Sequence, residues 1–178
     1  MRILVAYYSR TGNSHKAAQI IAKRLNAQLY KIDDLYNRKG PIGYIKTYWE
    51  ALRKKYPYVK ECRRKLRECD LVVLCGPIWV KRLATPIYSF VEDNCNKLKK
   101  LAYFMTCKED LPYNYDVVKM NMMIGYEGEC TYMQSNKEGQ ELLEDAVKFA
   151  EAVKKDLGLP STEDLEETSS KEAVKDEK

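Results

Sequence analysis

The first 32 residues contain a strand, a polar loop, a helix and a second strand in that order, and this order limits what the chain can fold into. Residues 2–8 form a continuous apolar run, which is typical of a strand buried on both faces of a sheet. Residues 17–25 then carry apolar side chains at helical spacing, and residues 27–32 form a short β-rich run. Two strands joined by a helix pair in parallel through a right-handed crossover. The sequence therefore predicts a layered α/β domain.

The rest of the chain continues the alternation of strands and helices. Gly76 and Pro77 are expected to end the third strand, and Thr85 is expected to cap the following helix with Pro86 at its first position. The predicted elements are strands at 71–75, 101–106 and 117–124 and helices at 44–55, at 85–94 and from 142 to about 157. For the strand at 117–124, a helical turn near its start is the alternative.

Length and composition fit one globular domain. Of the 178 residues, 45% are apolar and 32% are charged. We predict a domain over residues 1–160 and a charged, mobile tail over residues 161–178. The longest apolar run, residues 71–80, is well short of the roughly 20 residues that cross a bilayer. The apolar stretch at residues 3–8 is too short for a secretory signal, so we expect a cytoplasmic protein.

The charge of the predicted domain is basic. Residues 1–160 carry 28 bases and 19 acids. Many of the bases lie between Lys46 and Arg67, with Tyr48, Tyr56 and Tyr58 among them. Three interpretations remain open for this stretch, namely a docking face for an acidic redox protein, a nucleic-acid site, and a solvated helix face.

The cysteines and the single histidine do not form a metal-binding pattern. None of the six cysteines forms a C-x-x-C pair, and only His15 could join them, so we expect no zinc site of the usual spacing. Cys75 ends the predicted third strand, and Cys107 comes directly after the predicted fourth. A redox-active pair is conceivable there, although inert strand cysteines are the favoured interpretation. His15 has no recognisable orienting partner, which favours a surface role over a catalytic one.

The loop between the first strand and the first helix is the strongest functional signal. Residues 9–14, SRTGNS, enter a helix with free N–H groups, the positive end of the helix dipole and three hydroxyls. The loop lacks the Lys-Ser/Thr ending of a triphosphate loop and the G-x-G-x-x-G of a dinucleotide loop. It is suited to a phosphate monoester held by neutral donors. From the loop alone, simple capping of the helix is an equally good interpretation.

This loop and a second segment resemble a known family. The run VAYYSRTGNSHKAA, at residues 5–18, is similar to the phosphate-loop signature of the flavodoxin-like FMN-binding proteins. Residues 76–79, GPIW, followed by Pro86 and Phe90, resemble the second flavin loop of that family. The resemblance implies a three-layer α/β/α sandwich with a five-stranded parallel sheet in the order 2-1-3-4-5, and FMN as the cofactor.

The resemblance also implies particular roles for residues. Both motifs follow strands one and three, which meet at the topological switch point of such a sheet. Trp79 offers a stacking surface for a flat ring, the alternative being a core tryptophan on the next helix. The implied phosphate ligands are Ser9, Thr11, Asn13 and Ser14 with the backbone of Arg10 and Gly12, the implied ring contacts are Pro77, Ile78 and Trp79, and Thr106 and Cys107 begin the third flavin loop.

Two departures from the family pattern affect the expected chemistry. Val80-Lys81-Arg82 stands where the family often has a glycine, and a cation near the ring would raise the flavin potential. The third loop, residues 106–113, contains no glycine. Tyr113 or Tyr115 either covers the ring or packs on the protein surface.

These observations support two hypotheses of different classes. In the first, the protein transfers electrons through non-covalently bound FMN, as a carrier or as a small reductase, with a redox protein or a small molecule as partner. In the second, it is a non-enzymatic binding module that uses its basic face for an acidic protein or nucleic acid.

Overall fold

The computed structural model describes residues 1–34, 59–60, 62, 65–79, 81–109, 112 and 115–160. Within them the chain forms a sheet flanked by helices. The strands are β1 (Ile3–Tyr7), β2 (Gln28–Lys31), β3 (Leu71–Trp79), β4 (Arg82–Leu83), β5 (Leu101–Thr106) and β6 (Tyr132–Ser135). The helices are α1 (Asn13–Arg24), α2 (Thr85–Asn94), α3 (Tyr115–Met123) and α4 (Gly139–Asp156), and short 3-10 turns lie at Leu66–Glu68 and Cys95–Lys97.

The main sheet is parallel and has the order β2-β1-β3-β5-β6. The short strand β4 lies off this path and pairs antiparallel with the end of β3. Counted along the chain without β4, the parallel strands have the order 2-1-3-4-5. The predicted topology is therefore confirmed.

Two apolar cores cover the two faces of the sheet. On one face, alternate residues of the strands pack against α1 and α4, with Ile21 and Phe149 fully buried. On the other face, the intervening residues pack against α2 and α3, with Phe90 and Met120 fully buried. This alternation follows from the pleat, which points successive side chains to opposite faces. The molecule has the three layers that the sequence predicted.

The helices predicted at the first loop, at residues 85–94 and near the C-terminus are confirmed as α1, α2 and α4. The predicted helix at 44–55 and the tail at 161–178 lie outside the described residues. No helix of the described part of the chain combines the length and apolar character needed to cross a membrane.

The prediction of a fifth strand at 117–124 is wrong, because these residues form most of helix α3. Val117 and Met120 are buried against the sheet, whereas Val118 and Met122 are exposed. Burial at a spacing of three residues is helical, and packing on the sheet overrides the local β-propensity of this apolar run. The fifth strand of the parallel sheet is the short segment Tyr132–Ser135.

The start of α2 also differs from the prediction. Ala84, not Thr85, occupies the N-cap, and no side chain caps this helix within the described residues. The Ala84 carbonyl accepts from the Ile87 N–H at 2.9 Å and from the Tyr88 N–H at 3.3 Å, which places the cap one residue earlier. Thr85 becomes the first helical residue, and within the described part of the chain its buried Oγ1 has no hydrogen-bond partner. Pro86 is accordingly the second helical residue and not, as the sequence predicted, the first.

Strand β3 does not end at Gly76 and Pro77, as the sequence predicted, but runs on to Trp79. Pairing with β5 continues through both residues, since Gly76 lies beside Met105 and Pro77 beside Thr106. A Cβ at Gly76 would lie 2.1 Å from Cδ1 of Ile87, a residue of α2. Glycine here therefore allows the helix to approach the strand, and it does not break the strand.

This close approach gives a stability prediction. Gly76→Ala should lower the free energy of unfolding by about 1–3 kcal/mol, because the new methyl group overpacks the core against Ile87. Ile87→Val alone should cost about 0.5–1.5 kcal/mol. In the double variant the valine lacks the clashing Cδ1. The double variant should therefore lose less free energy of unfolding than the sum of the two single losses, as measured by chemical denaturation. Fully additive losses would contradict the proposed contact.

Candidate functional site

Three segments of the chain meet at the carboxyl edge of the parallel sheet. They are the loop after β1, the β3–β4 hairpin and the end of β5. Tyr7 lies beside Cys75 in the strand register, and Pro77 lies beside Thr106. Because the strands are parallel, the residues that follow them emerge on the same edge. The structure thus brings the sequence-predicted segments together.

The loop at residues 9–14 turns sharply into α1 at Gly12. This glycine is the N-cap of the helix and has a φ of +101°, a conformation that side chains rarely adopt. Its N–H donates to Ser9 Oγ at 3.1 Å, and its carbonyl accepts the first helical hydrogen bond, from the Lys16 N–H at 3.0 Å. Within the described residues no side chain caps α1. The positive end of the helix dipole therefore faces the loop without a protein side-chain acceptor.

The loop is tied to β5 by a pair of hydroxyl groups. Ser14 is buried, and its Oγ lies 2.8 Å from Oγ1 of Thr106. Asn13 and Ser9 are half-buried, whereas Thr11 is exposed. The pair fixes the first turn of α1 against the end of β5. The predicted phosphate loop and the start of the predicted third flavin loop are therefore in direct contact.

Trp79 lies at the end of β3, half-buried, and not on the following helix. The Tyr8 ring meets it edge-on, with centroids 5.5 Å apart. The guanidinium carbon of Arg10 lies 5.8 Å from the centroid of the Trp79 ring. This cation–π contact joins the loop after β1 to the hairpin.

The β3–β4 hairpin has a two-residue connection and is fastened to α3. Trp79 pairs with Arg82, and Lys81 has a φ of +62°. The position directly after Trp79, where the resemblance suggested glycine, lies outside the described residues. Arg82 Nη2 donates to Asp116 Oδ1 at 3.0 Å, and the Leu83 N–H donates to Asp116 Oδ2 at 3.1 Å. Sequence reasoning missed Asp116, because its signal, an acid in the first turn of a helix, depends on recognising α3 as a helix.

The third loop is described in part. Thr106 ends β5, and the N–H of the half-buried Cys107 donates to the Ser135 carbonyl at 2.9 Å. Tyr113 lies outside the described residues. Tyr115 opens α3 and is 73% exposed, so it lies on the surface of the protein.

His15 packs against another ring, and Cys75 lies in the apolar core. The His15 ring stacks on the Tyr7 ring, with centroids 4.7 Å apart and planes 9° apart. Cys75 is completely buried in the core under α1 and α4. Burial raises the pKa of the Cys75 thiol far above its usual range, so this thiol resists forming the reactive thiolate.

The basic stretch between Lys46 and Arg67 lies largely outside the described residues. Two of its described bases make exposed ion pairs. Lys60 Nζ lies 3.8 Å from Asp33 Oδ2, and Lys65 Nζ lies 3.0 Å from Glu68 Oε1. Exposed pairs of this kind contribute little to stability.

No protein-family model and no curated protein sequence matches this chain. Solved structures do match it. A candidate flavoprotein from Bacteroides eggerthii superposes with a TM-score of 0.66 at 22% identity, covering 83% of this chain and 96% of its own. A Lactobacillus acidophilus flavoprotein in complex with FMN gives a TM-score of 0.57 at 20% identity, covering 75% and 90%. A flavodoxin from the domain Archaea gives 0.53 at 13% identity, covering 84% and 94%.

The chain has the flavodoxin-like fold. In this fold the carboxyl edge at β1 and β3 is the place where the crossovers diverge to opposite faces. The three segments described above lie at that edge.

The burial of Cys75 predicts the pattern of thiol reactivity. In the native protein at pH 8, iodoacetamide should leave Cys75 unmodified over the time in which the half-buried Cys107 and Cys130 react, because only local or global unfolding exposes it. Peptide mapping by mass spectrometry with and without denaturant measures this difference. Modification of Cys75 at the rate of Cys130 would contradict the burial.

Proposed function

We propose that this protein binds FMN non-covalently and transfers electrons through it. Two features that meet at one edge of the sheet carry the proposal. One is the N-terminus of α1, which begins at the Gly12 turn and has no side-chain cap among the described residues, and the other is the half-buried Trp79 on the hairpin. The first feature suits a phosphate and the second suits a flat aromatic ring. FMN has both groups in one molecule.

The phosphate would be held mainly by neutral donors. Ser9, Thr11, Asn13 and Ser14 offer side-chain donors, and the backbone at Arg10 and Gly12 completes the loop. The positive φ of Gly12 turns the chain so that the first N–H groups of α1 face the loop. This donor set fits a dianionic monoester, since it adds the dipole of a twelve-residue helix to several hydrogen bonds.

The ring would lie against the hairpin. Pro77, Ile78 and Trp79 form the last part of β3, and all three are half-buried. Thr106 and Cys107 supply the neighbouring edge at the end of β5. These residues bind and orient the ring and limit the access of water to it. When bound, FMN would supply reversible electron transfer.

The structural neighbours support the same proposal. One of them contains FMN, and another is a flavodoxin. At identities of 20% and 13% they share the fold with this chain, and the assignment of FMN rests on the site residues together with that fold.

Two forms of this function are distinguished by one assay. A reductase oxidises a nicotinamide cofactor in repeated turnovers with a small-molecule acceptor such as a quinone. A carrier is reduced and reoxidised only through another redox protein. Steady-state oxidation of NADH or NADPH by the FMN-loaded protein, with and without quinone, separates the two.

The binding proposal predicts a visible absorption spectrum. Purified protein mixed with FMN and passed through a gel-filtration column should retain the bands of oxidised flavin. The double variant S9A/T11A should bind FMN at least about tenfold more weakly, because a hydrogen bond to a charged group contributes about 1.5–3 kcal/mol. Riboflavin lacks the phosphate, so its affinity should be nearly the same for the variant and the unchanged protein.

Thr131→Val is the matched control, since this hydroxyl lies before β6 at the opposite edge of the sheet and bonds Asp156 at 3.4 Å. It should leave FMN affinity unchanged. Equal FMN affinity in S9A/T11A would disprove the phosphate assignment. A protein that never retains flavin would disprove the proposed function and return attention to its basic face.

A further inference from the structure

The ion pair between Arg82 and Asp116 connects two segments that flank the proposed ring site. Arg82 belongs to the hairpin, and Asp116 belongs to the first turn of α3. Asp116 is only 4% exposed, and both of its carboxylate oxygens accept hydrogen bonds, one from the Arg82 guanidinium and one from the Leu83 N–H. A buried carboxylate is costly unless it is paired in this way.

The pair lies beside Trp79. Arg82 and Trp79 are directly opposite each other in the hairpin, and such partners have Cα atoms about 4.5–5.5 Å apart. The guanidinium nevertheless turns to α3, where it pairs with the Asp116 carboxylate, and the Leu83 N–H of the hairpin donates to the other oxygen of that carboxylate. The charge of Arg82 is therefore matched by an opposite charge at 3.0 Å, close to the aromatic residue proposed to contact the ring.

We propose that Asp116 is a positioning residue that holds Arg82 as a neutral pair beside the flavin site and so keeps this cation from raising the reduction potential of bound FMN. The inference rests on the proposed function. Asp116, which lies outside the predicted flavin loops, would thus control the electrostatic field at the ring.

The physical argument is the sign of the charge change on reduction. Reduced flavin is anionic, so an unmatched cation nearby favours it over the oxidised form, and an unmatched carboxylate disfavours it. A close pair of opposite charges has a field that falls off faster than that of either charge alone. Removing one partner therefore exposes the charge of the other, and the two removals act in opposite directions.

Two isosteric or near-isosteric variants and their combination test the proposal. Asp116→Asn should raise the potential of bound FMN, and Arg82→Gln should lower it. Each should change the ratio of the dissociation constants of oxidised and reduced FMN by about tenfold, which is about 30 mV for a two-electron couple. The double variant D116N/R82Q should lie close to the unchanged protein. Potentials are measured by equilibration with redox dyes, and affinities by titration.

Asp156→Asn is the control, because Asp156 pairs with Lys100 at 2.7 Å at the amino edge of the sheet, remote from the hairpin. It removes a carboxylate that is also paired with a cation, and it should leave the potential unchanged. Shifts of the same sign in D116N and R82Q, or no shift in either, would overturn the proposal, since a purely structural role moves both potentials in one direction.

If D116N fails to fold, a lower potential of R82Q alone supports the proposal, and an unchanged or higher potential overturns it. Failure of the unchanged protein to bind FMN would overturn the proposed function and this inference together.

Discussion

The parallel pairing of β1 with β3 is the interaction on which the rest of the structure depends. The two strands run side by side from Ile3 and Leu71 to Tyr7 and Cys75, and the Tyr8 N–H extends the ladder with a bond to the Cys75 carbonyl at 2.9 Å. All five residues of β1 are buried. Because β1 continues into α1 on one face and β3 into α2 on the other, the chain diverges at this pair. Divergence leaves an open edge, and the candidate site occupies it.

Close packing around that edge decides which residues can form the site. Gly76 lets α2 approach β3, and pairing with β5 and then with β4 continues the strand to Trp79. Ser14 and Thr106 then join α1 to β5 through their hydroxyls at 2.8 Å. The candidate site residues are thus held by regular elements and by each other, and the loops between them contribute short turns. Sites supported in this way keep their geometry better than sites on free loops.

The strand–loop–helix–strand unit and the first loop could be predicted from local patterns, whereas the strand order of the whole sheet came from the resemblance to the family. A buried apolar run, a glycine turn and helical spacing lie within residues 2–25 and need no distant partner. The contacts that complete the site could not be predicted, because each joins residues far apart in the chain. Asp116 accepts bonds from Arg82 and Leu83, over thirty positions earlier, and Ser14 meets Thr106 across 92 positions. Periodicity carries no information on such pairs.

The misread helix and the missed carboxylate have one cause. Residues 117–124 are apolar enough to resemble a strand, and only their packing on the sheet shows the helical pattern in which Val117 and Met120 point inward. A strand at this place would have put Asp116 at a strand end, where no helix dipole favours a buried acid. As the first turn of α3, the same residue lies where that dipole stabilises negative charge, and there it meets the hairpin. The hairpin that carries Trp79 is therefore fastened to a helix more than thirty residues later, so the proposed ring side of the candidate site depends on tertiary contacts, whereas the residues proposed to hold the phosphate are neighbours in the sequence.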